Sequence, residues 1–312
     1  MKLVFFGTPE FALPSLQQLF DSRHEVTLVV SKPDRPKGRR QEMTTPPVIG
    51  LARHRDLRVD QTKNVKGQQF ADTLAATGAD VAVVVAYGKI LPEHLLHIPP
   101  HGFVNLHPSL LPRHRGPSPI QWTLVCGDQV TGVTTMLLDE GMDTGPILLQ
   151  RRVAIEPRDT VETLAPRLAV EGADLLVETL DGIEEGTVHP RPQPADGANV
   201  TPMLRRSFAK IEWEMPARHL VNRLRGFTPW PGLYASFRDG RLKIHGLEEV
   251  TPPPRGDEPP GTVLAVSADG IVVRCGRSTA VRITEVQREG RRRLPVDAFL
   301  IGERVSRGER FE

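Results

Sequence analysis

Residues 79–86 read A-D-V-A-V-V-V-A, a nearly unbroken valine-rich run. A strand with one wet face alternates polar and apolar residues. A run like this one is covered on both faces, which is how strands of a parallel sheet packed between helices read. The upstream chain supplies the unit that such a sheet repeats. Lys2–Phe6 is an apolar run closed by Gly7, Pro9–Phe20 reads as a helix with a proline near its first turn, and Glu25–Val30 is a further run. Strand, helix and strand at this spacing predict a parallel α/β sheet. The first turn, G-T-P-E-F, lacks the G-x-G-x-x-G of a dinucleotide site, which argues against a nicotinamide cofactor.

The alternation continues downstream. Leu57–Asp60, Val130–Leu138 and Ile147–Ile155 read as strands. Lys66–Thr77, Leu91–Ile98, Ser118–Cys126 and Thr160–Leu180 read as helices, the last with Gly182 just past its end. His94, His97 and His101 read as surface or capping residues. From residue 187 to 202 the composition turns proline-rich, and a chain of 312 residues is comfortable for two domains. This predicts a first domain over 1–188, a linker over 189–205 and a second domain over 206–312. After a basic helix at Ala217–Arg225, five short runs follow, at Tyr234–Phe237, Leu242–Leu247, Gly261–Ser267, Gly270–Cys275 and Ala280–Val286. Short strands with turn signals between them predict a small β-barrel of OB-like type.

Charge is uneven. The net is +2 overall, but residues 203–312 carry 20 Lys and Arg against 14 Asp and Glu. That excess fits an anionic partner such as nucleic acid, and equally a solvated basic surface. Residues 31–47, S-K-P-D-R-P-K-G-R-R-Q-E-M-T-T-P-P, form a long basic loop whose Lys32, Arg35, Lys37, Arg39 and Arg40 suit a phosphate backbone, or a solvated loop. Cys126 and Cys275 are the only cysteines and no Cys-x-x-Cys spacing occurs, so no metal is expected and a reducing, cytoplasmic location is. No apolar run approaches membrane-spanning length.

The chemistry is concentrated in residues 103–119, F-V-N-L-H-P-S-L-L-P-R-H-R-G-P-S-P. Asn105 and His107 stand two apart near the end of a strand, so both side chains leave the same face. An amide that can donate to a developing oxyanion and an imidazole that can move a proton then share one space. The prolines that follow make a stiff loop with few free donors.

The full string N-L-H-P-S-L-L-P, with M-L-L-D-E-G-M-D-T-G at residues 136–145, resembles the enzymes that take a formyl group from 10-formyltetrahydrofolate. Y-G-K-I-L-P at residues 87–92 resembles the same family. The basic loop and F-T-P-W-P-G at residues 227–232 resemble the branch that acts on methionyl-tRNA. The resemblance implies a Rossmann-like formyltransferase domain followed by the barrel. It implies catalysis by Asn105, His107 and Asp143, with folate held by Ser109, Leu110, Leu111, Pro112, Tyr87 and Gly88. It implies transfer-RNA contacts from Arg35, Lys37, Arg39, Arg40, Arg291, Arg292 and Arg293. It implies 10-formyltetrahydrofolate as the formyl donor and methionyl-initiator tRNA as the acceptor, and a monomer without a membrane partner is expected. An amino-sugar nucleotide or glycinamide ribonucleotide is the alternative acceptor.

Overall fold

The computed structural model describes residues 1–38, 41–238 and 240–312. In chain order the first two-thirds contains β1 (Lys2–Gly7), α1 (Leu13–Phe20), β2 (Glu25–Val30), β3 (Arg35–Lys37), β4 (Glu42–Thr44), α2 (Pro47–His54), β5 (Val59–Asp60) and α3 (Gln68–Ala75). It continues with β6 (Val81–Val85), α4 (Glu93–Leu96), β7 (Phe103–His107), α5 (Pro119–Cys126), β8 (Val130–Leu137), β9 (Ile147–Ala154) and α6 (Val161–Glu184). The last third holds α7 (Ala217–Phe227), β10 (Leu233–Phe237), β11 (Gly240–Glu249), β12 (Val263–Ser267), β13 (Gly270–Arg274), β14 (Ala280–Arg288), β15 (Leu294–Pro295) and α8 (Val296–Gly302). Two compact units result. The first comprises residues 1–119, 130–154 and 165–201, and the second residues 120–129, 155–164 and 202–312.

The first unit is built on a seven-stranded sheet of order β5-β2-β1-β6-β7-β8-β9. The five strands from β5 to β7 are parallel, and β8 and β9 complete the sheet antiparallel. β6 and β7 are buried along their whole length, β6 as its apolar run requires. Strand order reverses between β1 and β6, which puts the ends of β6 and β7 beside the crevice where α/β sheets take ligands.

Three local readings shift. The helix expected over Pro9–Phe20 splits into a short turn at Glu10–Ala12 and α1. Pro14 has no N–H, so it fits only in a first turn, and α1 starts one residue before it. The basic loop contains a hairpin, β3 with β4, that its prolines and charges hid. Gly182 lies inside α6 instead of ending it, because the returning chain packs there: a Cβ on Gly182 would stand 2.3 Å from Val188 Cγ2.

Residues 189–201, within the segment read as a linker, are held by the first unit. Arg191 and Ile147 exchange backbone hydrogen bonds of 2.8 Å, and Thr201 N donates to Arg115 O at 2.8 Å.

The second unit is an antiparallel sheet of order β10-β11-β14-β13-β12, with β15 added to β14. The five runs read from the sequence are β10 to β14. The segment after α8 reaches both open edges. Val263 N donates to Glu309 O, Phe311 N donates to Gly261 O, and Ser236 and Glu312 bond each other in both directions. This closes the sheet on itself, removing the exposed edges that an open sheet would leave. Leu220, Phe227, Ile244, Val273 and Phe311 belong to its core. Among the described residues, no helix is long and apolar enough to cross a membrane.

Candidate active site

β7 places Asn105 and His107 in the middle of the sheet, Asn105 between Val84 of β6 and Met136 of β8, and His107 opposite Thr134 of β8. Both are almost covered, at 9% and 5% exposure. No described residue hydrogen-bonds the Asn105 carboxamide, so its donors are available to something else. His107 Nε2 lies 2.9 Å from the carbonyl oxygen of His114. A carbonyl only accepts, so Nε2 carries the proton and Nδ1 keeps its lone pair. That Nδ1 faces Asp143 Oδ2 at 3.6 Å. Burial pushes the His107 pKa below its ordinary value, while the Asp143 carboxylate and then the His114 carbonyl pull it partly back. The imidazole is therefore neutral at pH 7.

Asp143 belongs to the loop between β8 and β9 and has φ +54°, a left-handed conformation that few non-glycine residues hold. The loop is over-determined. Asp139 Oδ1 accepts from Gly141 N at 3.0 Å and from Thr144 Oγ1 at 2.9 Å. Gly116 N donates to Asp143 Oδ2 at 2.8 Å. Gln193 Nε2 donates to the carbonyls of Asp143 and Gly145, each at 2.8 Å.

The loop after β7 is fixed just as closely. Thr134 Oγ1 accepts from Leu111 N at 3.2 Å and donates to Ser109 O at 2.6 Å. Ser109 Oγ donates to Arg113 O at 2.6 Å, and Gln150 Nε2 donates to Leu111 O at 2.9 Å. The Leu111–Pro112 peptide is cis. Ser109 and Leu111 are buried, and Leu110 packs over Gly132. These residues thus offer a shaped loop in place of reaching side chains.

Tyr87 sits in the core with its ring edge-to-face against Phe6 at 5.4 Å, and its carbonyl accepts from Thr8 Oγ1. Burial, with Asp60 adding to it, pushes its phenol up to about 12. Gly88 has φ +70°, and Lys32 Nζ lies 2.4 Å from where a Cβ would be. A cavity of about 690 Å³ lies beside the start of β7, lined by Leu96, Phe103, Leu138, Asp139 and Glu140 among others.

The structure thus brings Asn105, His107 and Asp143 to one strand end. Of the basic residues, Arg35 is exposed on β3. Arg39 and Arg40 lie outside the described residues, and only the backbone of Lys37 is described. In the second unit, a basic hollow of about 1010 Å³ is lined by Arg241, Arg288, Arg291 and Arg292 over Leu294 and Phe299. Arg293 is exposed too, but its guanidinium is held by Glu285. The sequence reading missed Gln193, Asn199 and Thr134. Isolated polar residues in a proline-rich stretch or a β-branched strand carry no pattern that singles them out.

A carboxamide, an imidazole and a carboxylate thus lie together near the switch point of an α/β sheet. The chain belongs to the formyl transferase family: residues 1–180 match that family's transferase domain and residues 203–304 its C-terminal domain. It is 44% identical over 310 residues, 99% of each chain, to the methionyl-tRNA formyltransferase of Caldanaerobacter subterraneus subsp. tengcongensis. To that of Aromatoleum aromaticum it is 45% identical over 312 residues, 100% of this chain and 97% of the relative. Its fold is shared by the N-formyltransferase of Helicobacter canadensis, solved with folinic acid and dTDP-3-aminofucose, at TM-score 0.69 and 16% identity over 92% of this chain and 99% of that one.

Proposed function

We infer that the protein transfers the formyl group of 10-formyltetrahydrofolate to the α-amino group of methionyl-initiator tRNA, giving N-formylmethionyl-tRNA for translation initiation. Identity above 40% over the full length of methionyl-tRNA formyltransferases carries this reading. The alternative acceptors rest on distant neighbours, such as the 16% identical sugar N-formyltransferase.

The proposed chemistry uses the three converging groups. The neutral amine attacks the formyl carbon and forms a C–N bond, and the carbonyl pair moves onto oxygen. Asn105 Nδ2 donates to that oxyanion, a kind of contact whose loss costs about 10²- to 10³-fold in rate. The proton lost by the amine moves to His107 Nδ1, and the Asp143 carboxylate stabilises the imidazolium. The same proton goes to N10 as the C–N10 bond breaks, releasing tetrahydrofolate. No electrons are exchanged, and nothing else is consumed.

Folate is assigned to the loop Ser109, Leu110, Leu111 and Pro112 and to the backbone of Tyr87 and Gly88. The rigidity of that loop and the buried Tyr87 ring support contact through shape and main chain. Transfer RNA is assigned to Arg35, Lys37, Arg39 and Arg40 and to Arg291, Arg292 and Arg293, with the exposed Arg291 and Arg292 supported most directly. The protein would act as a cytoplasmic monomer. The test is incubation with methionyl-initiator tRNA and 10-formyltetrahydrofolate, scored for blocked amino groups, with an amino-sugar nucleotide as competing acceptor. Formylation of the sugar alone would overturn the reading.

A further inference from the structure

We propose that Gln193 is a positioning residue for formyl transfer, holding in one grip the two loops that fix the two nitrogens of His107; the proposal rests on the function inferred above. His107 is held through Nε2 by the carbonyl of His114 and faces Asp143 through Nδ1. These partners come from different loops, one following β7 and the other joining β8 to β9. Gln193 connects the two. Its Nε2 donates to the carbonyls of Asp143 and Gly145, while its Oε1 accepts from Arg115 Nε at 2.9 Å and Arg115 Nη2 at 2.7 Å. Arg115 directly follows His114.

The orientation of the amide is forced. Two carbonyls on one side need donors, and a guanidinium on the other needs an acceptor, so every polar position of the Gln193 side chain is used. Asn199, from the same segment, accepts from His114 N through Oδ1 at 2.5 Å, and Thr201 Oγ1 donates to the Pro117 carbonyl at 2.7 Å with the Arg115 carbonyl 3.0 Å away. Residues 193–201 therefore act as a brace along the loop that carries His114. The brace meets a strained element. Asp143 and His114 both have positive φ, at +54° and +59°, conformations that persist only where neighbours impose them. Releasing the carbonyls of Asp143 and Gly145 lets residue 143 relax, which moves its carboxylate away from Nδ1. Gln193 does not touch the reacting atoms, so its influence passes through Asp143.

Gln193→Ala, together with Gln193→Glu, tests this. The glutamate keeps an acceptor for Arg115 but turns a carboxylate toward the two carbonyls, so it removes the donors while leaving the tether. Both variants are expected to lose about 10- to 100-fold in kcat, the scale of a small misplacement. KM for 10-formyltetrahydrofolate and for charged tRNA should stay within about twofold. In an Asp143→Ala background, Gln193→Glu is expected to cost nothing further, because the group it positions is gone. The proposal is overturned if kcat is unchanged, if KM rises instead, or if the two losses add in full. If Gln193→Ala does not fold, the glutamate variant decides alone. An Asp143→Ala enzyme with full activity would instead overturn the catalytic reading itself, so the two failures are distinct.

Discussion

The proton on His107 Nε2 is assigned by its partner, since the His114 carbonyl can only accept. Nδ1 is then the basic nitrogen, and its basicity is set by two opposed effects. Burial lowers its pKa and is the larger; the Asp143 carboxylate at 3.6 Å raises it. The folded-state pKa thus lies below 6.5, and the neutral base persists across physiological pH. Substituting Asp143→Asn removes the attraction and leaves burial in place. An NMR titration of the His107 imidazole is expected to give a midpoint below 6.5 in the wild type and a lower one in the variant. A midpoint that rises in Asp143→Asn would show that the Asp143 carboxylate does not raise the His107 pKa, and a wild-type midpoint above 6.5 would show that burial is not the dominant influence. The stability linkage has the same sign. Below pH 6.5 the unfolded imidazole takes a proton that the folded one refuses, so His107 contributes a loss of stability as pH falls through that range.

Elements were readable where one force dominated. β6 is readable because strands buried on both faces admit little but apolar residues, and the shared face of Asn105 and His107 follows from strand geometry alone. The second motif placed Asp143 in sequence, but not its positive φ or the Gln193 amide that holds its loop. Those depend on segments far apart in the chain. The same limit explains α6. Glycine just past a helical run usually caps it, yet Gly182 continues the helix because Val188 packs onto it. Gly182→Ala weighs the two effects against each other. Helix propensity favours alanine by about 1 kcal/mol. Overpacking against Val188 costs about 1–3 kcal/mol. Net destabilisation is expected in urea unfolding; a stabilised variant would mean that the Val188 segment moves aside freely.

At the scale of the whole molecule, two differently built units share one chain, and in each a single structural fact decides what it offers. In the first it is the reversal of strand order beside β6, with β7 next to it. In the second it is closure by the segment ending at residue 312, which the strand count alone did not reveal. Phe311 seals that closure, stacking on Phe237 at 4.5 Å with almost no exposure. Phe311→Ala is expected to cost about 3–5 kcal/mol, the usual range for a buried phenylalanine. The loss should appear in the melting of the second unit, and a change below about 1 kcal/mol would place the closure outside that unit's stability.

The central claim is that an amide, an imidazole and a carboxylate brought together at the end of β7 perform the transfer. It is tested most directly by single-turnover formylation of methionyl-initiator tRNA with His107→Ala and Asp143→Ala at saturating 10-formyltetrahydrofolate. Each variant is expected to remain folded, to bind folate, and to transfer the formyl group about 100-fold more slowly or worse. Near-wild-type rates in both would contradict it.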